Sequence, residues 1–367
     1  MTAIAIAAGG GGDAVTAAVL ARKMPDLNVA AIMSYSWDRL LIDPTPGPRG
    51  SADFDGLIDR GGVYELTPTA GLRTGGQSTL PRLSQHIDLP ILLMDISAGT
   101  AGLAHQISNA AAAFNASDLI VVDIGGDIVA VGHERGLRSP LADSVALAAA
   151  VESGLQSQVL VTGIGLDGEL SISEASDRLI HLGAHDVAVL TPTDVLGLDP
   201  IWFWHPSEAN GLLAAAATGW RGSVETQRNC VVQLVDAVTH VYQVSAEALA
   251  EDSLAALVAS STTLVEVEEL LRARRGYSDI DIERNRLTNR SATRTPGPEV
   301  LAEIDRYAID AAHRGIDALT VRRVIELAEA TDIRASTSLR ELLSRERPGS
   351  FQPPFYTVRP CRSGPVS

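Results

Sequence analysis

The chain has 367 residues, 46% hydrophobic and only 4% aromatic, with 29 basic against 45 acidic side chains and a formal net charge of −16. That length holds one large domain or two around a substantial core, and that charge argues against non-specific binding to nucleic acid or anionic membranes. Lys23 is the sole lysine and sits just after the first helical pattern, a poor place for chemistry, which argues against a lysine Schiff base and a phosphate loop of the GxxxxGK[ST] type, so any phosphate must be met by backbone N–H groups, arginine or a metal ion.

The apolar run Ala3–Ala7 reads as a strand. It ends in Gly9-Gly10-Gly11-Gly12-Asp13-Ala14, and a helical pattern follows to about residue 23. This is the G-x-G-x-x-A spacing of a dinucleotide-binding turn, in which glycine lets a phosphate approach the backbone and the helix N-terminus attracts it. Asp13 is either a helix cap alone or a cap that also meets a ligand or metal. A second strand, about 28–34, ends at Ser34 with Asp38 four residues later, which differs from the acid-terminated strand of nicotinamide-binding folds. The interval 43–88, with Pro44, Pro46, Pro48, Gly61-Gly62 and Gly75-Gly76, is read as a long loop over the site, beginning with 34–39.

Strand patterns recur at about 90–96, 118–123, 158–163 and 186–191, alternating with helical patterns at about 99–113, 138–154, 172–183 and 207–219. Strands apolar throughout imply a sheet covered on both faces, and the alternation implies right-handed crossovers. The expected fold is therefore α/β: a mostly parallel, doubly wound, Rossmann-like sheet over 1–245 with a helical C-terminal region over 246–347. Two more turns repeat the pairing of glycine with acid. Asp123-Ile124-Gly125-Gly126-Asp127 closes the fourth strand, and Gly163-Ile164-Gly165-Leu166-Asp167-Gly168-Glu169 closes the fifth. Since the carboxyl ends of parallel strands form the binding crevice, the three turns are expected to converge on one small-molecule site.

In that site Gly9, Gly10, Gly11, Gly12, Asp13, Gly125, Gly126, Gly163, Gly165 and Gly168 are the expected contacts to a cofactor or nucleotide. Asp123 and Asp127 are the leading catalytic carboxylates, and Asp127 and Asp167 the expected ligands of Mg²⁺, whose charge would cancel the repulsion between acids and phosphate. Glu169 or Glu208 is the proton-transfer candidate. Ser207 reads as the N-cap of the helix carrying Glu208, and Arg221 with Glu225 as an ion pair.

Further along, Val231–Val235 and His240–Val244 read as paired strands around a short turn. Residues 246–367 hold 17 Arg and no Lys against 19 acids, leaving 12 basic and 26 acidic groups in 1–245. An acid-lined cleft is thus expected in the N-terminal part, with a helical region that supports, covers or oligomerises it. The Pro-rich stretch 348–367 is expected to be a weakly ordered tail. Cys230 and Cys361 match no zinc or redox spacing, and neither a zinc-hydrolase histidine pattern nor a G-x-S-x-G elbow is present. With no signal-peptide pattern and no apolar stretch of membrane-spanning length, a cytoplasmic location is expected.

The GGGGD turn at 9–13, DIGGDI at 123–128, SPLADS at 139–144, GLDGEL at 165–170 and the stretch from PSEANGLL to RGSVE at 206–225 together resemble the family grouped as domain of unknown function 1152. The resemblance spans most of residues 1–225 and implies an α/β cytosolic protein without supplying an activity or catalytic residues. Gly125-Gly126-Asp127 is also similar, over three residues, to the phosphate-holding turn of phosphofructokinase-type and NAD-kinase-type proteins. The leading expectation is an enzyme acting on a phosphorylated or nucleotide-like metabolite by Mg²⁺-assisted transfer or activation. The alternatives are a non-catalytic nucleotide or metabolite sensor and a nicotinamide-dependent oxidoreductase. The expected partner is a small metabolite, not nucleic acid or a membrane, and homo-oligomerisation is compatible with the pattern.

Overall fold

The computed structural model describes residues 1–290 and 292–358. Its strands are β1 (Ala3–Ala7), β2 (Val29–Tyr35), β3 (Phe54–Asp55), β4 (Ile58–Asp59), β5 (Tyr64–Leu66), β6 (Gly71–Leu72), β7 (Ile91–Met94), β8 (Asp118–Ile124), β9 (Gln156–Thr162), β10 (His185–Val189), β11 (Gly222–Thr226), β12 (Cys230–Leu234), β13 (His240–Ser245), β14 (Ala318–Thr320), β15 (Phe351–Gln352) and β16 (Phe355–Thr357).

Every residue of β1 is buried, and its alternation sends Ile4 and Ile6 to one face and Ala3, Ala5 and Ala7 to the other. A strand apolar on both sides must be covered on both sides. The helices Gly99–Phe114 and Pro140–Glu152 cover the first face, while Asp13–Lys23 and Glu208–Ala217 cover the second, where alanine leaves room for close approach.

The main sheet has nine strands in the order β10-β13-β9-β8-β1-β2-β7-β5-β4. The central block β9-β8-β1-β2-β7 is parallel. At its edges β13, β10, β5 and β4 are added antiparallel, so the sheet is mixed rather than mostly parallel throughout. The parallel block positions the site, because the turns after β1, β8 and β9 must open on the same edge.

Several expectations are corrected. The interval 43–88 is not one long loop: β5 and β4 extend the main sheet from β7, and β3 pairs with β6. The stretches 231–235 and 240–244 do not pair with each other. β12 pairs with β11 in a second sheet of order β12-β11-β14-β16-β15, whereas β13 crosses to the main sheet and lies against β9. Their alternation fits a strand, but only tertiary packing selects the partner. The start of the expected tail is built in: β15 and β16 form a hairpin whose second strand pairs with β14. Cys361 and the rest of that stretch from 359 lie outside the described residues. Nor does the core stop at residue 245: Leu249, Val258, Val267, Leu271 and Ile280 belong to the same buried cluster as Ile4 and Ile6. Residues 300–343 pack with Phe351 and Tyr356 in a separate cluster. Among the described residues no helix is long and apolar enough to cross a membrane.

Phe355 anchors the hairpin, 5% exposed and with its ring centroid 4.6 Å from that of Trp220. Phe355→Ala is expected to lower the unfolding free energy by about 3 kcal/mol, measured by urea denaturation. A loss below about 1 kcal/mol would mean that this strand is not part of the cooperative core.

Candidate functional site

The turns after β1, β8 and β9 meet at the carboxyl edge of the parallel block around one cleft. Its floor holds Gly9–Asp13, Asp127, Asp143, Asp167 and Glu169, and its rim Trp37, Arg39, His205–Glu208, Arg228, Asp279, Glu283 and Arg286. The free volume is about 170 Å³ beneath an open mouth.

Glycine makes the convergence sterically feasible. A Cβ on Gly125, which has φ +122°, would lie 2.4 Å from the Asp167 carboxylate, and one on Gly12 would lie 2.6 Å from Ser207 Oγ. In the first turn, Asp13 is the first helical residue and its Oδ2 reaches back to accept the Gly9 N–H at 2.9 Å. Among the described residues, the N–H groups of Gly10, Gly11 and Gly12 have no protein acceptor, so this helix N-terminus keeps free donors. The third turn differs. Gly163 N–H donates to Val238, Gly165 N–H to Gly125 and Gly168 N–H to Gly165. These three glycines do not line the cleft, and the expected second donor cradle is corrected to a structural turn that presents Asp167 and Glu169. Gly125 and Gly126 likewise spend their N–H groups on Thr162 O and Asp123 Oδ2.

The floor carries two groups of carboxylates. Oxygens of Asp13, Asp123 and Asp143 lie within 4.8 Å of one another, as do oxygens of Asp127, Asp167 and Glu169. Asp127 links the groups, since it acts on both Asp123 and Asp167. Asp123 Oδ1, Asp143 Oδ1 and Asp167 Oδ2 are buried without a partner. Burial pushes Asp13 up to about 7, and burial followed by the Glu169 charge pushes Asp167 up to about 7. Asp123, Asp127 and Asp143 lie well above the carboxylate range, first through burial and then through their acidic neighbours. Asp279, from the helix Asp279–Thr288, is pushed up to about 8 by burial. Such shifts are typical of sites that handle protons or metals.

Arginines line the rim instead of neutralising the floor. Among the described residues, the guanidinium groups of Arg39, Arg228 and Arg286 donate to no protein acceptor. Arg138 is the exception, with Nε 3.7 Å from Glu169 and Nη2 donating to Asp167 O and Gly168 O. Desolvation in the cleft, then Arg286, Arg138 and Arg39, bring Arg228 down to about 10. Its backbone is left-handed (φ +62°), as is that of Asn229 (φ +57°), a conformation that costs about 1 kcal/mol for a non-glycine residue. Gln227 N–H donates to Glu208 Oε1, and Arg228 N–H donates to Glu326 Oε2, holding the turn in place.

The expected acids have different fates. Asp123 is buried beneath the floor, and Asp127 and Asp167 line it. Glu169 lines it too, but accepts from Arg138 N–H, Ser139 N–H and Ser139 Oγ. Glu208 reaches the cleft, yet Oε1 also accepts from Thr320 Oγ1. Asp38 is occupied by Thr79 N–H and Oγ1. Ser207 occupies the N-cap position as expected but makes no side-chain cap bond, and Arg221 pairs with Asp236 while Glu225 pairs with Arg314 and Arg323. Sequence reasoning missed Asp279, Glu283 and Arg286, which lie in the region assigned to support, and it missed Arg228, whereas Arg39 belongs to the segment 34–39 expected beside the site. The near-total replacement of lysine by arginine was the available signal, since arginine favours bidentate oxyanion recognition.

The molecule is thus an α/β protein with a deep, charge-divided cleft at the end of its parallel strands. It belongs to the family described as "Protein of unknown function (DUF1152)", whose pattern matches residues 4–287. No curated protein and no solved structure matches the chain.

The raised carboxyl groups give a pH signature. The folded protein binds protons near pH 7 that the unfolded chain, with ordinary values near 4, has released. Their contribution to stability is therefore fully present below about pH 4 and is lost as pH rises through about 7–8. The melting temperature of the ligand-free protein should fall between about pH 5.5 and 8.5, and Asp279→Asn should flatten the fall. A melting temperature that rises over that range contradicts the assignment.

Proposed function

We propose that the protein is a Mg²⁺-dependent enzyme acting on a phosphorylated or nucleotide-like small metabolite by a transfer or activation reaction. The observation that carries this reading is the separation of charge: floor carboxylates that, Glu169 with Arg138 excepted, have no ion-pair partner face rim arginines without carboxylate partners. Opposite charges held apart in a cleft are complementary to a metal–phosphate pair, with the cation on the carboxylates and the phosphate on the arginines. We also read the parallel block as a doubly wound, Rossmann-like sheet whose order reverses between β1 and β8, the place where such sheets bind ligands.

In this reading Asp127, Asp167 and Glu169 hold Mg²⁺. The free N–H groups of Gly10–Gly12 and the side chains of Arg39, Arg228 and Arg286 take the phosphate. Asp13, pushed up to about 7 and beside those donors, replaces Glu169 and Glu208 as the proton-transfer group, because Glu169 accepts three hydrogen bonds and Glu208 Oε1 accepts two that hold the Arg228 turn and Thr320. Asp13 accepts the proton of the attacking hydroxyl as the new oxygen–phosphorus bond forms and the bond from phosphorus to the leaving oxygen breaks; a cation held by Asp127, Asp167 and Glu169 would supply charge neutralisation there. Glu208 acts as a positioning residue for the Arg228 turn.

Isothermal titration with inorganic pyrophosphate tests the recognition step. Binding should require Mg²⁺ and be abolished by a chelator. Asp127→Asn should weaken the Mg²⁺-dependent binding by about tenfold or more. Arg286→Ala, at a solvent-accessible position, should weaken pyrophosphate binding by about tenfold with the fold intact. Equal pyrophosphate affinity with and without chelator would reject the metal bridge.

A further inference from the structure

Among the described residues three arginines are buried: Arg49, Arg323 and Arg340. Two have acidic partners, Arg49 on Asp43 at 2.6 Å and Arg323 on Glu225 at 2.8 Å and Glu326 at 2.5 Å. Arg340, on the helix Ile333–Glu346, is only 5% exposed, and no carboxylate lies within ion-pair distance among the described residues. Its Nη1 makes one long hydrogen bond, to Ser336 O at 3.4 Å, and its Nε has no partner. A guanidinium keeps its charge at neutral pH, so a buried one without a counter-ion is costly.

Arg340 lines a small cavity together with Arg322, His205, Thr320 and Pro354. Arg322 approaches an acid only at 4.0 Å, through Glu208 Oε2. His205 is 6% exposed, and its Nδ1 accepts the Ser207 N–H at 3.2 Å. That bond puts the proton of the neutral ring on Nε2, a buried donor with no acceptor. The cavity wall therefore collects donors and positive charge, and its acceptors, the Glu208 carboxylate and the Thr320 hydroxyl, bond neither Arg340 nor His205 Nε2. Its free volume of about 20 Å³ suits a single small body rather than a phosphate.

We propose that this cavity is a binding site for a monovalent, halide-sized anion, with chloride held by Arg340 and Arg322 and supported by His205. The site is separate from the metabolite cleft, but His205, Pro206, Ser207 and Glu208 line both. An anion beside Arg322 competes for the guanidinium nearest Glu208, the residue that holds the Arg228 turn through Gln227. Occupancy thereby biases the rim that receives the phosphate. This proposal does not depend on the identity of the metabolite.

Crystals grown in sodium bromide should show an anomalous bromide peak in contact with Arg340. In solution, replacing chloride by gluconate at constant ionic strength should lower the melting temperature by about 2 °C or more. Arg340→Met should abolish that chloride-specific shift. Should this variant fail to fold, the bromide peak in the unaltered protein decides. A cavity without bromide, an equal melting temperature in chloride and gluconate, or an Arg340→Met protein that retains the chloride shift would each overturn the proposal.

Discussion

The cleft rests on the repulsion among carboxylates gathered at the ends of β1, β8 and β9. Oxygens of six acids form two groups, each spanning no more than 4.8 Å, and three of these oxygens have no partner. Burial and mutual repulsion raise these carboxyl groups, so in the absence of cations protonation of the floor is favoured. A divalent ion would displace those protons and convert the repulsion into coordination. The same geometry accounts for the glycines: Gly125 and Gly12 sit where any side chain would collide with Asp167 or Ser207.

The arginines do not collapse onto the acids because other interactions hold their supports. Glu169 is fixed by Ser139 and the backbone of 138–139, while the Arg228 turn is fixed by Glu208 and Glu326. The helix bearing Arg286 is held through Glu283, which accepts from Trp37 Nε1 and Gly47 N–H. Glu283 is thus a brace between the segment after β2 and a helix far along the chain. Charge separation of this kind requires a rigid surround, since flexible side chains would pair instead.

The central strands and the convergence of their turns were legible because apolar runs and glycine-acid turns are local patterns with local causes. Ala3–Ala7 has no polar residue to place at a surface, and the turn at Gly9 follows from the sterics of a strand entering a helix. What stayed hidden was non-local. The periodicity of 230–234 and 240–245 marks strands, but their assignment to different sheets depends on β11 and β9, which the pattern cannot see. Similarly, Asp279 and Arg286 look like surface charge on a helix until that helix is docked over the floor. The GxGxxG spacing at 163–168 misled in the opposite direction: its motif is intact, but its N–H groups are consumed within the protein. Spacing reveals where a donor could be, and only the hydrogen-bond accounting reveals whether it is free.

The most direct test of the account is a crystal of the protein soaked with Mn²⁺ and inorganic pyrophosphate, with anomalous differences measured for manganese. The account predicts a manganese peak coordinated by Asp127, Asp167 and Glu169, with pyrophosphate bridging it to Arg228, Arg286 and the N–H groups of Gly10–Gly12. Manganese absent from the carboxylates while pyrophosphate occupies the cleft, or pyrophosphate bound away from the arginines, would contradict it.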